Sequence, residues 1–280
     1  MSDKHIIDNY GYKSSMKFIY SPLDIEELKS IVKNLNKTGS RFRVIGGLSN
    51  TVLISKKSSL VIIKLKKGVF KDIRRKDEVL KVGAGTDISQ LMNYCVKNGL
   101  GGLEFLVGIP GTIGGALIGN AGAYGNEIAD FILNVDCLDH EGSFKTLGRK
   151  GVDFNYRNSS LKHFVVISVL LKITKISQSE IKKKMNYFIN KRFFSQDFQY
   201  SSCGCFFKNP KEFQVGKIID AIGLAGKKRG DVCVSDKHAN FLINTENTNS
   251  EDILSLKDVL QRRIWRDKKV WLEPEVNILW

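Results

Sequence analysis

GLGGLEFLVGIPGTIGGALIGNAGAYG, residues 99–125, holds ten of the chain's 25 glycines in 27 residues. Turns alone do not need that density. Glycine is required where the backbone takes a positive φ or must lie against another object. Glu104 is the only charged residue between Gly99 and Asn126. A phosphate loop without lysine relies on amide N–H groups and small side chains, which suits the pyrophosphate of a dinucleotide. The stretch is not a Rossmann fingerprint, because no G-x-G-x-x-G follows a strand and opens a helix here. A merely structural glycine-rich loop is the poorer explanation at this density.

Working outward, Asp87–Lys97 sets Ile88, Leu91, Met92, Cys95 and Val96 on one helical face, with Asp87 at its start and Gly99 just past its end. Further upstream, Ile25–Leu35 has helical spacing with Ser21 or Asp24 as cap, and 43–45, 60–65 and 79–82 read as strands. Downstream, 132–138 and 164–174 read as strands, and 178–193 as a basic helix whose Lys182–Lys184 run is a solvated face. The last third reads as helix 217–222, strand 238–244, helix 250–266 and strand 270–279. Helices and strands are mixed throughout, so the fold class is α+β or α/β.

Composition excludes several classes. The 42% hydrophobic fraction over 280 residues is that of a globular protein with real cores. Five cysteines are too few for a disulfide scaffold and suit a reducing cytosol. The polar N-terminus lacks the apolar core of a signal peptide, and no apolar run is long enough to span a membrane. Lys and Arg number 44 against 29 Asp and Glu, a net charge of +15. That excess allows nucleic acid, an anionic membrane surface or an anionic small molecule as partner. Neither aromatic–basic interleaving on a recognisable platform nor a helix-turn-helix supports nucleic acid.

Other segments bear on chemistry, and each is ambiguous alone. Gly46-Gly47-Leu48-Ser49-Asn50 after a strand is a phosphate-holding turn or a plain one. Tyr156-Arg157-Asn158-Ser159 offers a guanidinium for a carboxylate, or a solvated arginine. Cys203-Gly204-Cys205-Phe206-Phe207-Lys208-Asn209-Pro210 has no second Cys/His pair to complete a zinc site, which leaves open a reactive or a proton-donating thiol. His238-Ala239-Asn240-Phe241 is more often a core histidine than a catalyst. Leu272-Glu273-Pro274-Glu275-Val276 carries two carboxylates around a proline, or a solvated edge.

In their order, GGLSN, GIPGTIGGA, NAGAYG, FNYRNSS, GCFFKNP, KHANFLIN and WLEPEV resemble the UDP-N-acetylmuramate dehydrogenase family, the UDP-N-acetylenolpyruvoylglucosamine reductases, from about Asn9 onward. The short tract from Tyr156 to Cys205 looks like the type II branch. The resemblance implies an α+β fold: a vanillyl-alcohol-oxidase-type FAD-binding domain of two subdomains, 1–68 and 69–176, and a substrate-binding domain, 177–280. It implies non-covalent FAD, NADPH as reductant, an enolpyruvyl UDP-sugar as substrate, no nucleic acid, no metal, no membrane span, and a cytoplasmic monomer. The rivals are another FAD-dependent oxidoreductase of the superfamily and a basic nucleic-acid-binding protein.

Roles carried over by motif make Gly46, Gly47, Ser49 and Asn50 the first cofactor loop. The second comprises Gly108, Ile109, Pro110, Gly111, Thr112, Gly114, Gly115 and Ala116, then Asn120, Gly122, Ala123, Tyr124 and Gly125. Tyr156, Lys208, Asn209 and His238 would bind substrate. Hydride would pass from FAD to the enol ether, with Arg157 and Glu275 stabilising the enolate and Cys205 giving the proton. Two departures stand out: Cys205 occupies a place where many relatives have serine, and Leu48 one where they usually have a third glycine. Of the three anionic partners the resemblance favours the small molecule, whose capture the charge would aid by steering, while most of the excess is surface bias on helices such as Lys182–Lys184 and Arg262–Lys269.

Overall fold

The computed structural model describes residues 4–54 and 57–279. The chain forms two compact units. The larger comprises residues 17–47 and 59–191, the smaller 1–16, 48–58 and 192–280.

In the larger unit, α1 (Ile25–Lys37) buries Leu28, Val32 and Leu35, one face of its apolar stripe. Asp24 caps it, its carboxylate accepting the Glu27 N–H at 2.8 Å. Strand Phe42–Ile45 pairs in parallel with residues 61–64. α2 (Ile88–Asn98) begins after Asp87, whose N–H donates to Gln90 Oε1 at 3.4 Å. It ends at Gly99, whose φ of 65° is a left-handed cap.

A five-stranded antiparallel sheet runs in the order Phe144–Gly148, Ile132–Leu138, Val165–Lys172, Val79–Gly83, Ile73–Lys76. The central strand Val165–Lys172 is buried along nearly its whole length, which is why it reads as a continuous apolar run. Inside the glycine window lies α3 (Ile113–Ile118), a helix the sequence reading left out. Its Gly114 donates to Ala84 O at 2.8 Å, and a Cβ there would meet Ala84 Cβ and O at 3.1 Å. Glycine thus lets a short helix lie almost on the strand end. α4 (Gln178–Ser195) follows as a largely solvated helix.

The smaller unit has its own core around Tyr10, Val52, Phe206, Phe207, Leu242 and Leu260. Its antiparallel sheet runs Ser201–Cys205, Phe241–Asn244, Val232–Val234, Lys228–Arg229. α5 (Val215–Ala221) starts two residues earlier than the spacing suggests. α6 (Ser250–Lys268) buries Ile253, Leu256, Leu260 and Ile264 and is capped by Asn249, whose side chain accepts the Asp252 N–H at 2.9 Å. Asp8 ties the N-terminal turn down: Oδ1 accepts from Tyr10 and Tyr12 and Oδ2 from Leu53, at 3.0, 3.0 and 2.8 Å.

The expected strand over 270–279 contracts to Asn277–Leu279, parallel to Thr51–Leu53. Pro274, with no N–H, limits the preceding segment to an isolated bridge with Phe207. The strand expected from His238 starts only at Phe241, because His238–Asn240 form a turn.

Candidate active site

The larger unit brings the two glycine loops into contact. A Cβ on Gly46 would stand 2.3 Å from Thr112 Oγ1, and one on Gly47 would stand 3.3 Å from Gly111 Cα. At these two positions the packing leaves no room for a side chain, and the surrounding stretch carries almost no charge. Thr112 caps α3, its hydroxyl accepting the Gly115 N–H at 3.4 Å. Gly108, Gly111 and Gly125 take φ values of 77°, 119° and 82°, which only glycine adopts cheaply.

Asn120 is fully buried with φ of 42°. Its Nδ2 donates to Glu127 Oε2 at 2.7 Å and to Asn155 O at 3.1 Å, and its Oδ1 accepts the Ala129 N–H at 3.4 Å. Its amide is therefore engaged in the scaffold, and what it supports is the hairpin that carries Tyr156 and Arg157 between Asn155 and Asn158. Arg157 has φ of 53°, and its Nη2 donates to Gly122 O at 2.8 Å. The guanidinium carbon lies 5.1 Å from the ring centroid of exposed Tyr156. Arg157 is thereby held against the NAGAYG segment. Tyr124, in the same segment, stacks on Phe188 of α4 with centroids 5.1 Å apart.

The smaller unit assembles a second group. Cys205 is half-buried and pairs with Phe241 after a bulge, where Gly204 takes φ of 77°. Cys203, two residues earlier, is buried and donates to Thr51 O at 3.3 Å. Burial pushes its thiol far above the usual cysteine range. The two cysteines thus differ, and the buried one suits packing.

The FFK and LEPE segments pair: Glu275 N–H donates to Phe206 O at 2.8 Å, and Lys208 N–H to Glu273 O at 2.9 Å. Lys208 Nζ lies 3.3 Å from Glu273. Glu275 O in turn accepts from Asn50 Nδ2 at 3.2 Å, and Asn50 O accepts the Asn277 N–H at 3.0 Å. Asn209 Oδ1 accepts the Val215 N–H at the start of α5, at 2.9 Å. His238 stands 4.7 Å from Phe241, ring centroid to ring centroid, and burial lowers its pKa, favouring the neutral imidazole. Leu48, nearly buried, has φ of 57°. A glycine would take that conformation without the Cβ penalty that leucine bears here.

Sequence reasoning passed over two participants. Asn240 stands inside a quoted motif, yet only the fold shows its clamp on Phe207. Glu127 is the carboxylate partner of Asn120 and carries no motif signal.

Paired, glycine-rich, uncharged loops fit the diphosphate of a flavin dinucleotide, and the α+β chain belongs to the FAD-binding oxidoreductase class. A model of the FAD binding domain matches residues 16–148, and a model of the UDP-N-acetylenolpyruvoylglucosamine reductase C-terminal domain matches residues 196–279. The UDP-N-acetylenolpyruvoylglucosamine reductase of Caldicellulosiruptor saccharolyticus is 33% identical over 100% of this chain and 91% of its own. That of Carboxydothermus hydrogenoformans is 35% identical over 94% and 87%. The crystal structure of the Thermus caldophilus reductase superposes with a TM-score of 0.81 at 29% identity, covering 99% of both chains. The chain belongs to the UDP-N-acetylenolpyruvoylglucosamine reductase family.

Proposed function

We propose that this chain reduces UDP-N-acetylenolpyruvoylglucosamine to UDP-N-acetylmuramate with NADPH, as a cytoplasmic monomer. The observation that carries the proposal is the pairing of the CFFKN and LEPE segments, in a chain that also carries the two mutually packed glycine loops. FAD, held by the two glycine loops, would supply the hydride chemistry between NADPH and the enolpyruvyl carbon. The chain's own residues do the rest.

The glycine loops, from Gly46 to Asn50 and from Gly108 to Gly125, hold the cofactor through backbone amides. Arg157, oriented by its bond to Gly122 O, supplies fixed positive charge to the substrate carboxylate as negative charge builds beside it. Glu275, registered by its N–H to Phe206 O, is the second group assigned to stabilising the enolate. Cys205 donates the proton that completes the reduction and is reprotonated from solvent. A thiol is a far stronger acid than the hydroxyl common in relatives, and a more oxidisable one. Tyr156, Lys208, Asn209 and His238 bind the UDP-sugar.

The functional division into flavin subdomains 1–68 and 69–176 and a substrate domain 177–280 goes with this proposal. It cuts the chain differently from the compact units. Val52 packs in the smaller unit's core, while Ser49 and Asn50 serve the cofactor loop.

Purified protein should be yellow and should consume NADPH in proportion to added enolpyruvyl UDP-sugar. A colourless protein that FAD does not reconstitute refutes the proposal. So does flavin reduction without substrate-dependent turnover, which points to another oxidoreductase of the superfamily. Cys205→Ala should still accept electrons from NADPH and lose turnover of the enolpyruvyl substrate; full turnover removes Cys205 from the mechanism.

A further inference from the structure

We infer that Asn240 is a positioning residue for the proton-donating segment, a role that rests on the function proposed above. Asn240 is 1% exposed and sits in the turn just before strand Phe241–Asn244. Three bonds leave it for two consecutive residues. Its carbonyl accepts the Phe206 N–H at 2.7 Å. Its Oδ1 accepts the Phe207 N–H at 3.0 Å, and its Nδ2 donates to Phe207 O at 2.8 Å. The side-chain amide therefore does what a paired strand residue does, at the point where the strand itself turns away.

The opposite edge of the same three residues is held by Glu275 N–H on Phe206 O and by Lys208 N–H on Glu273 O. Residues 206–208 are thus fixed between two partners. Cys205 comes directly before them, Lys208 and Asn209 end them, and Glu275 lies across from them. A shift of the Phe207 peptide moves the thiol, the lysine and the carboxylate relative to one another. Displacements of about 1 Å in a reacting constellation lower rates by about 10²-fold.

An amide offers a donor and an acceptor side by side at this reach without needing a proton from solvent. Aspartate keeps the acceptor for the Phe207 N–H but turns a second oxygen toward Phe207 O. Protonated aspartate restores the donor. In so buried a place the introduced carboxyl's pKa rises, so the clamp should re-form as pH falls. The titratable neighbours are His238, whose Nδ1 accepts the Asn240 N–H at 3.3 Å, and the Lys208–Glu273 pair on the facing segments. α5 meets Asn240 at Gly216, which carries no charge. The ratio of variant to wild-type turnover at each pH divides out the titration of these shared groups.

The test measures turnover of the enolpyruvyl UDP-sugar by the FAD-loaded wild type, Asn240→Asp and Asn240→Ala from pH 8 to pH 6. Asn240→Asp should retain FAD, lose about tenfold or more in kcat at pH 8, and recover most of that loss toward pH 6. Asn240→Ala should show a comparable loss that pH does not relieve. An Asn240→Asp ratio that is flat with pH, at any level, overturns the proposal. So does failure of that variant to fold or hold FAD, which would assign Asn240 to the fold as a whole. A wild type that holds FAD yet never turns over the UDP-sugar refutes the proposed function instead.

Discussion

Gly46→Ala tests whether the two glycine loops hold each other in register. Gly46 is not in the positive-φ region, so alanine is conformationally permitted and the obstacle is space. The new Cβ would lie 2.3 Å from Thr112 Oγ1 but 3.4 Å from Thr112 Cβ and Cγ2. Only the hydroxyl collides, and a rotation about χ1 clears it. That rotation breaks the cap the hydroxyl makes with the Gly115 N–H. Losing a threonine cap costs about 1 kcal/mol, and leaving the preferred rotamer adds about 0.5–1.5 kcal/mol, so Gly46→Ala should destabilise by about 2 kcal/mol. Thr112→Ala alone loses the cap, about 1 kcal/mol, and also vacates the contested space. In that background Gly46→Ala should be nearly neutral. A double-mutant cycle by urea unfolding, with flavin content recorded for all four proteins, should therefore give a coupling of about 1–2 kcal/mol. Additivity within about 0.5 kcal/mol would refute the contact between the loops.

Asn120→Ala strands Asn155 O, Glu127 and the Ala129 N–H in the interior and should lower stability by about 3 kcal/mol, with faster proteolysis at the Tyr156–Arg157 hairpin. An unchanged Tm would show that the buried amide is dispensable. Gly85→Ala would put a Cβ 1.5 Å from Leu65 O and 2.7 Å from its carbonyl carbon; backbone must move, so a loss of about 3 kcal/mol or more is expected, read as loss of folded soluble protein. Asp136 is a pH probe of the larger unit. Burial opposes its charge, but bonds from Lys81, Thr146 and Ser168 at 2.8, 2.8 and 2.9 Å outweigh that and hold its pKa below 3.8. Its stabilisation is therefore present above the unfolded value and lost as pH falls through the folded one. Asp136→Asn should be less stable at neutral pH and lose less on acidification below about pH 4; matching acid slopes in variant and wild type would contradict this.

Elements with complete local signals were legible in sequence. α2 carries a start and a stop in Asp87 and Gly99, and α6 buries the stripe that its spacing implies. α3 was not legible, because Gly114, Gly115 and Gly119 argue locally against a helix. Packing decides otherwise: Gly114 is where the helix touches Ala84, and a larger residue would lift it off. The strand after Val270 failed for the converse reason. Val270–Leu272 and Val276–Leu279 are apolar enough to suggest a strand, but Pro274 removes a ladder donor between them.

The glycine density of residues 99–125 by itself marked a loop against which a dinucleotide can lie, and the order of the motifs by itself identified the family. Both survive in the linear chain because a positive φ or a close backbone approach restricts residue identity at positions such as Gly46, Gly108, Gly111 and Gly114. The division of labour among polar residues was settled only by tertiary structure. Asn120 and Asn209 look alike in sequence, as do Cys203 and Cys205. Asn120 is buried against Asn155, 35 residues away, and Cys203 is sealed against Thr51, 152 residues away. Asn240 reaches Phe207 across 33 residues. A hydrogen bond depends on where the partner atom is, and folding alone brings such distant partners within 3.3 Å.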